Sequence, residues 1–144
     1  RISQDPRVTV MDRTNVRYLT VTDLAAPVNL VVADLSFISL QTVLPALCGL
    51  ITPNGQLLLM VKPQFEVGRE RLTSGAVVTD PALRADAVWQ VAIAAYQQGL
   101  TTLGVVASPL PGPSGNVEYF LWLARGTTPP ERDAVDRAVR EGPQ

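Results

Sequence analysis

The sequence predicts an α/β fold on an open, mostly parallel sheet whose last strand is antiparallel. Two apolar runs, 29–33 and 56–61, are continuous rather than alternating, as expected of strands buried on both faces. Helical patterns separate and follow them, the arrangement of a parallel α/β sheet. Two further apolar runs, 101–107 and 117–124, have only a loop between them, which makes the final pairing antiparallel.

The elements follow in order. Val8 to Met11 is a short strand candidate. The run 29–33 ends in Asp34. Leu40 to Leu50 reads as a helix, and Pro53-Asn54-Gly55 turns the chain into the strand that ends in Lys62-Pro63. Thr79-Asp80-Pro81 is a helix start, because Asp80 can cap free N–H groups and Pro81 suits the first helical position. Leu83, Ala87, Val88, Val91 and Ala95 give that helix an apolar face, and Gly99 ends it. Three prolines stiffen the loop 108–116. Glu131 to Glu141 is a polar terminal helix with Ala134, Val135, Ala138 and Val139 inward.

Composition narrows the chemistry. The chain has 144 residues, 47% apolar and 17% charged, which suits one globular domain. No apolar run reaches the roughly 20 residues of a membrane helix. The single cysteine, Cys48, excludes an internal disulfide and a cysteine metal cluster, and reads as a buried apolar residue. There is no histidine, so Ser-His-Asp and Cys-His catalysis and histidine metal sites are excluded. No glycine-rich turn follows any strand, so a phosphate-cradling loop is not visible. Net charge is −1 and shows no preference for a polyanion. Of the 12 basic residues only Lys62 is lysine. An arginine does not give up its proton near neutral pH, whereas a buried lysine can.

In a mostly parallel sheet, ligands bind beyond the carboxyl ends of the strands. Asp34 and Lys62 stand at two such ends. If the last strand runs backwards, its first residues, including Glu118, lie at the same edge. The three together suggest proton handling on a hydroxyl without a metal. Each has a plainer reading: Asp34 as a turn former, Lys62 as a solvated strand end, Glu118 as an outward residue of an edge strand. Arg69 and Arg71, in the polar loop after Lys62, could contact a phosphate backbone.

Three segments carry a family resemblance: Val31-Val32-Ala33-Asp34-Leu35-Ser36-Phe37-Ile38-Ser39, Val61-Lys62-Pro63-Gln64-Phe65-Glu66-Val67-Gly68, and Ser108 through Gly112-Pro113-Ser114-Gly115-Asn116-Val117-Glu118 to Phe120. Together with Asp12-Arg13-Thr14-Asn15-Val16-Arg17 they resemble the TlyA hemolysin-like family of FtsJ-like ribose 2′-O-methyltransferases, up to about Arg125. The resemblance implies a Rossmann-like class I methyltransferase fold, S-adenosylmethionine as methyl donor, and ribosomal RNA or a ribosomal subunit as partner in the cytoplasm. It places Asp34, Lys62 and Glu118 on the last three positions of a Lys-Asp-Lys-Glu tetrad. It assigns cofactor contacts to Asn15, Val16, Asp34 and Leu35, and adds Ser114 and Asn116 to the RNA contacts.

The first tetrad lysine, the glycine-rich cofactor loop and an N-terminal S4-like RNA-binding domain have no counterpart here. Residues 1–144 are therefore expected to be the C-terminal portion of one N-terminally truncated methyltransferase domain, inactive alone. Two alternatives stay open. One is a base N-methyltransferase, disfavoured because Asp34-Leu35-Ser36-Phe37 lacks the prolines of the usual motif. The other is a non-catalytic RNA-binding or ribosome-assembly module.

Overall fold

A computed structural model describes residues 1–68 and 77–144. The strands are β1 (Val28–Ala33), β2 (Ile51–Val61), β3 (Leu100–Ala107) and β4 (Tyr119–Arg125). The helices are α1 (Val21–Leu24), α2 (Leu40–Cys48), α3 (Pro63–Glu66), α4 (Pro81–Gln97) and α5 (Arg132–Glu141). One sheet has the order β1-β2-β4-β3. β1 pairs with β2 in parallel, while β4 is antiparallel to both β2 and β3. Three strands thus run one way and the last runs backwards between two of them, the mixed sheet of a partial Rossmann-like fold.

The helix starts follow from local chemistry. Ser39 Oγ accepts from Gln41 N (3.1 Å) at α2, and Asp80 Oδ1 accepts from Ala82 N (2.9 Å) at α4, with Pro81 in the first turn. Gly99 holds φ +80° directly before β3, a left-handed conformation that glycine adopts freely.

Alternation along the strands divides the sheet into two faces. Leu57, Leu59, Val61, Tyr119, Leu121 and Leu123 are fully buried, joining a core with Val43, Leu44 and Leu47 of α2 and Val88 and Val91 of α4. Val135 and Val139 of α5 join it beside β3 and α4. Leu30, Val32, Leu58, Val106 and Trp122 lie on the other face and are exposed.

Several expectations are corrected. Residues 8–11 form no strand: Val10 and Met11 are exposed, and among the described residues no neighbouring strand supplies a ladder to hold them. The segment Pro53-Asn54-Gly55 lies within β2 rather than before it. The chain still bulges there, since Val28 pairs with Ile51 and Leu30 with Gln56. The last strand begins at Tyr119 rather than Val117, so Glu118 directly precedes it. That strand is interior to the sheet, which removes the edge-strand reading of Glu118.

The two faces predict different costs. Leu59→Ala, on the helix-covered face, should lower stability by about 2–5 kcal/mol. Leu58→Ala, one residue away on the exposed face, should cost less than about 1 kcal/mol. Urea unfolding of both variants checks this, and equal losses would contradict the assignment of faces.

Candidate active site

The sheet register brings the predicted residues to one edge. Ala33, the last residue of β1, pairs with Leu59, and Asp34 follows it. Val61 pairs with Tyr119, so Lys62 and Glu118 are the next residues of that antiparallel register. Ser108 N donates to the Glu118 carbonyl (2.8 Å), carrying the same row across to the end of β3.

Lys62 is the hub. Its side chain is 8% exposed, and Nζ lies 2.5 Å from Asp34 Oδ1 and 3.2 Å from Ser36 Oγ. The Asp34 side chain is 68% exposed. One face of the ion pair is therefore open to a ligand, while the lysine stem is enclosed. Glu118 is buried at 6% exposure and accepts from Gln64 Nε2 at 3.3 Å. The structure thus joins Lys62 directly to Asp34, and places Glu118 beside Lys62 in register with a separate hydrogen-bond partner.

The remaining predicted contacts are dispersed. Leu35 is half-buried against the core, next to Asp34. Asn15 is exposed, and its side chain caps a short 3-10 turn by accepting from Arg17 N (3.0 Å). Val16 lies in that turn, which packs on α2. Ser114 is exposed at φ +58°. Asn116 is buried: its Oδ1 accepts from Val78 N (3.0 Å) and its Nδ2 donates to Pro113 O (3.2 Å). Its side chain ties the proline-rich loop to the segment before α4. Arg69 and Arg71 lie outside the described residues. The described residues contain no group of three or more potential metal ligands.

Residues 1–125 match the family of FtsJ-like methyltransferases. The chain belongs to that family. Relatives of this FtsJ-like chain include the 16S/23S rRNA (cytidine-2′-O)-methyltransferase TlyA of Mycobacterium tuberculosis, 54% identical over 147 residues, covering 99% of this chain and 55% of that protein. Among solved structures, a candidate hemolysin of Streptococcus thermophilus superposes with TM-score 0.90 at 31% identity, covering 96% of this chain and 51% of that one. Another from Lactococcus lactis gives TM-score 0.90 at 30% identity, covering 97% and 68%. The chain spans about half the length of the curated relatives it matches. Among the described residues no helix is long and apolar enough to cross a membrane.

Three features of this FtsJ-like site were not foreseen. Phe37 is 90% exposed at φ +64°, a strained conformation for a bulky residue, with its ring 5.1 Å from that of Phe65. Positive φ is foreshadowed in a sequence by Gly or Asn, so nothing marked Phe37. Gln64 bonds the buried carboxylate of Glu118, yet in the sequence it is one neutral residue in a turn. Glu66, grouped by sequence with a polar loop, reaches back to cap α2. It accepts from Ser39 Oγ (2.6 Å), Leu40 N (2.7 Å) and Gln41 Nε2 (3.3 Å). The cap is 26 residues away in sequence, beyond any local capping pattern.

Burial raises the carboxyl of Glu66 above its ordinary value of 4.5, and its hydrogen bonds to Ser39, Leu40 and Gln41 only partly offset this. Between the unfolded value and the raised folded one, the native state holds more proton than the unfolded chain. Glu66 therefore stabilises the fold fully below the unfolded value, and that contribution declines as pH rises through the folded value. Glu66→Gln removes this dependence. Urea midpoints at several pH values from about 4 to 7 should fall less steeply for the variant than for the wild type. Parallel curves would contradict the assignment.

Proposed function

We propose that this chain forms the methyl-transfer site of an S-adenosylmethionine-dependent enzyme that methylates ribosomal RNA at a ribose 2′-hydroxyl. The observation that supports this best is the Lys62–Asp34 pair: an enclosed lysine stem whose nitrogen is held at 2.5 Å by a largely exposed carboxylate, at the carboxyl ends of two parallel strands. Ligands in open α/β sheets bind at that edge. The 54% identity to TlyA, whose name specifies a cytidine-2′-O reaction on 16S and 23S rRNA, supports the substrate class.

Within this reading the residues divide the work. Lys62 helps remove the 2′-hydroxyl proton as that oxygen attacks the methyl group. Asp34 lies against the same nitrogen and orients it. Glu118 presents a buried carboxylate beside them to orient the hydroxyl. Phe37 offers an exposed ring on which a base can stack, a mode by which proteins hold unstacked RNA bases. When bound, S-adenosylmethionine supplies an electrophilic methyl group. Asp34 and Leu35 at the end of β1, with Asn15 and Val16, are the residues of this chain that would hold it. Leu35 offers a half-buried apolar wall next to the exposed Asp34 carboxylate, which suits a ligand with a polar and an apolar part. Positioning of the two reactants supplies much of the acceleration. Arg69 and Arg71 are the arginines of this chain closest in sequence to Lys62 that could meet RNA phosphates.

The test uses the protein in its natural full length, with ribosomal RNA or subunits and labelled methyl donor. Lys62→Ala and Glu118→Ala should each lower the transfer rate about 10²–10⁴-fold. RNA binding, read by filter retention, should stay close to wild type. Undiminished transfer in Lys62→Ala overturns the assignment. Full biological activity in both variants favours a non-catalytic RNA-binding or ribosome-assembly role.

A further inference from the structure

Glu118 has an unusual setting for a carboxylate. It is buried, and no cation among the described residues pairs with it. Lys62, its neighbour in register, is turned to Asp34 and Ser36 instead. A carboxylate withdrawn from water needs hydrogen-bond donors to stay charged. Among the described residues the only side chain that donates to Glu118 is Gln64, through Nε2, and Gln64 is itself only 8% exposed.

Backbone also closes on this carboxylate, at the same oxygen that Gln64 bonds. A Cβ at Gly112 would collide with Glu118 Oε1 and Cδ, so a bare glycine lies against the carboxylate. Gly112 has φ −78°, open to any residue, so what demands glycine there is space. The loop cannot easily drift, because Gly112 N donates to Asn116 O (2.8 Å) and Asn116 is tied to Val78 and Pro113. Gln64 is equally fixed. It sits in the single turn of α3 between Pro63, which sets the first helical position, and Glu66, which is bonded to the start of α2.

We infer that Gln64 is a positioning residue for the reaction: with the Gly112 backbone packed against the same oxygen, its side-chain amide fixes the Glu118 carboxylate at the transfer edge without an ion pair. An amide suits this task better than a lysine or arginine, which would cancel the charge. It also suits it better than a second carboxylate, which would repel Glu118 unless protonated. The inference rests on the proposed methyl transfer, and the experiment separates the two.

In the full-length protein, Gln64→Leu should lower kcat about 10–100-fold, the usual effect of removing a group that orients a reacting residue. KM for RNA and for the methyl donor should stay within about twofold, because Gln64 is buried and bonded to Glu118. Gln64→Glu keeps the shape and can donate to Glu118 only when one of the two carboxyls carries a proton. Its activity should therefore recover towards acidic pH and collapse towards alkaline pH relative to wild type, a displaced pH profile that a purely structural role would not produce. A Gln64→Leu kcat within twofold of wild type, or a Gln64→Glu profile superposed on wild type, overturns the inference. Independently of activity, the Gln64 side-chain NH₂ in nitrogen-15 NMR should be protected from exchange in the wild type and lose that protection in Glu118→Leu. Unchanged protection also overturns it. If the wild type transfers no methyl group to RNA while the protection depends on Glu118, the proposed reaction fails and the Gln64–Glu118 contact stands.

Discussion

The site depends on how β2 is shared between its neighbours. On one side it pairs in parallel with β1, and on the other it pairs antiparallel with β4. A parallel neighbour contributes its carboxyl end to an edge, and an antiparallel neighbour contributes its start. Asp34, Lys62 and Glu118 meet for that reason alone, across 84 residues of sequence between the first and the last (118 − 34). A one-residue slip of β2 against β4 would turn every inward side chain outward. It would bury Leu58 and expose Leu57 and Leu59, which are fully buried in the present register. The hydrophobic core and the candidate site are thus set by the same pairing, and neither can shift without the other.

From that edge the five residues Lys62 to Glu66 fan out to three different elements. Lys62 bonds the segment after β1, Gln64 bonds the residue just before β4, and Glu66 caps α2. A single helical turn has no stability of its own, because nucleation costs more than one turn of hydrogen bonds returns. Pro63 lowers that cost by presetting the backbone, and the tertiary bonds supply the rest. The buried polar groups here are therefore partnered across elements rather than within them. Such an arrangement is rigid when complete and costly when one partner is removed. Rigidity suits a reaction that gains its rate by alignment.

Much of this was legible in the sequence. Uninterrupted apolar runs announced buried strands, Asp80-Pro81 announced α4, and the absence of a helix between the last two strands announced their antiparallel pairing. The lone lysine at a strand end pointed to Lys62, and topology then pointed to its neighbours. Other features were not legible because they depend on long-range geometry. Val8 to Met11 has strand-like composition, but a strand exists only where a partner pairs with it. In the sequence Asn116 is one polar residue of a proline-rich loop, and only the fold ties its amide to Val78 and Pro113. Gln64 and Glu66 look like ordinary turn residues until the elements they bond are brought beside them. Family resemblance supplied the roles, whereas the register explains why those residues can share one site.

The central claim is that the edge formed by Asp34, Lys62 and Glu118 directs a methyl group to a ribose oxygen. The most direct measurement is the position of the label after transfer. Ribosomal RNA treated with the full-length protein and a methyl-labelled donor is digested completely with alkali, then analysed by mass spectrometry. Alkaline cleavage of RNA needs a free 2′-hydroxyl, so a 2′-O-methylated residue survives as an uncleaved dinucleotide. The account predicts labelled dinucleotides with the methyl group on ribose. Label found only on bases of fully cleaved mononucleotides would contradict it.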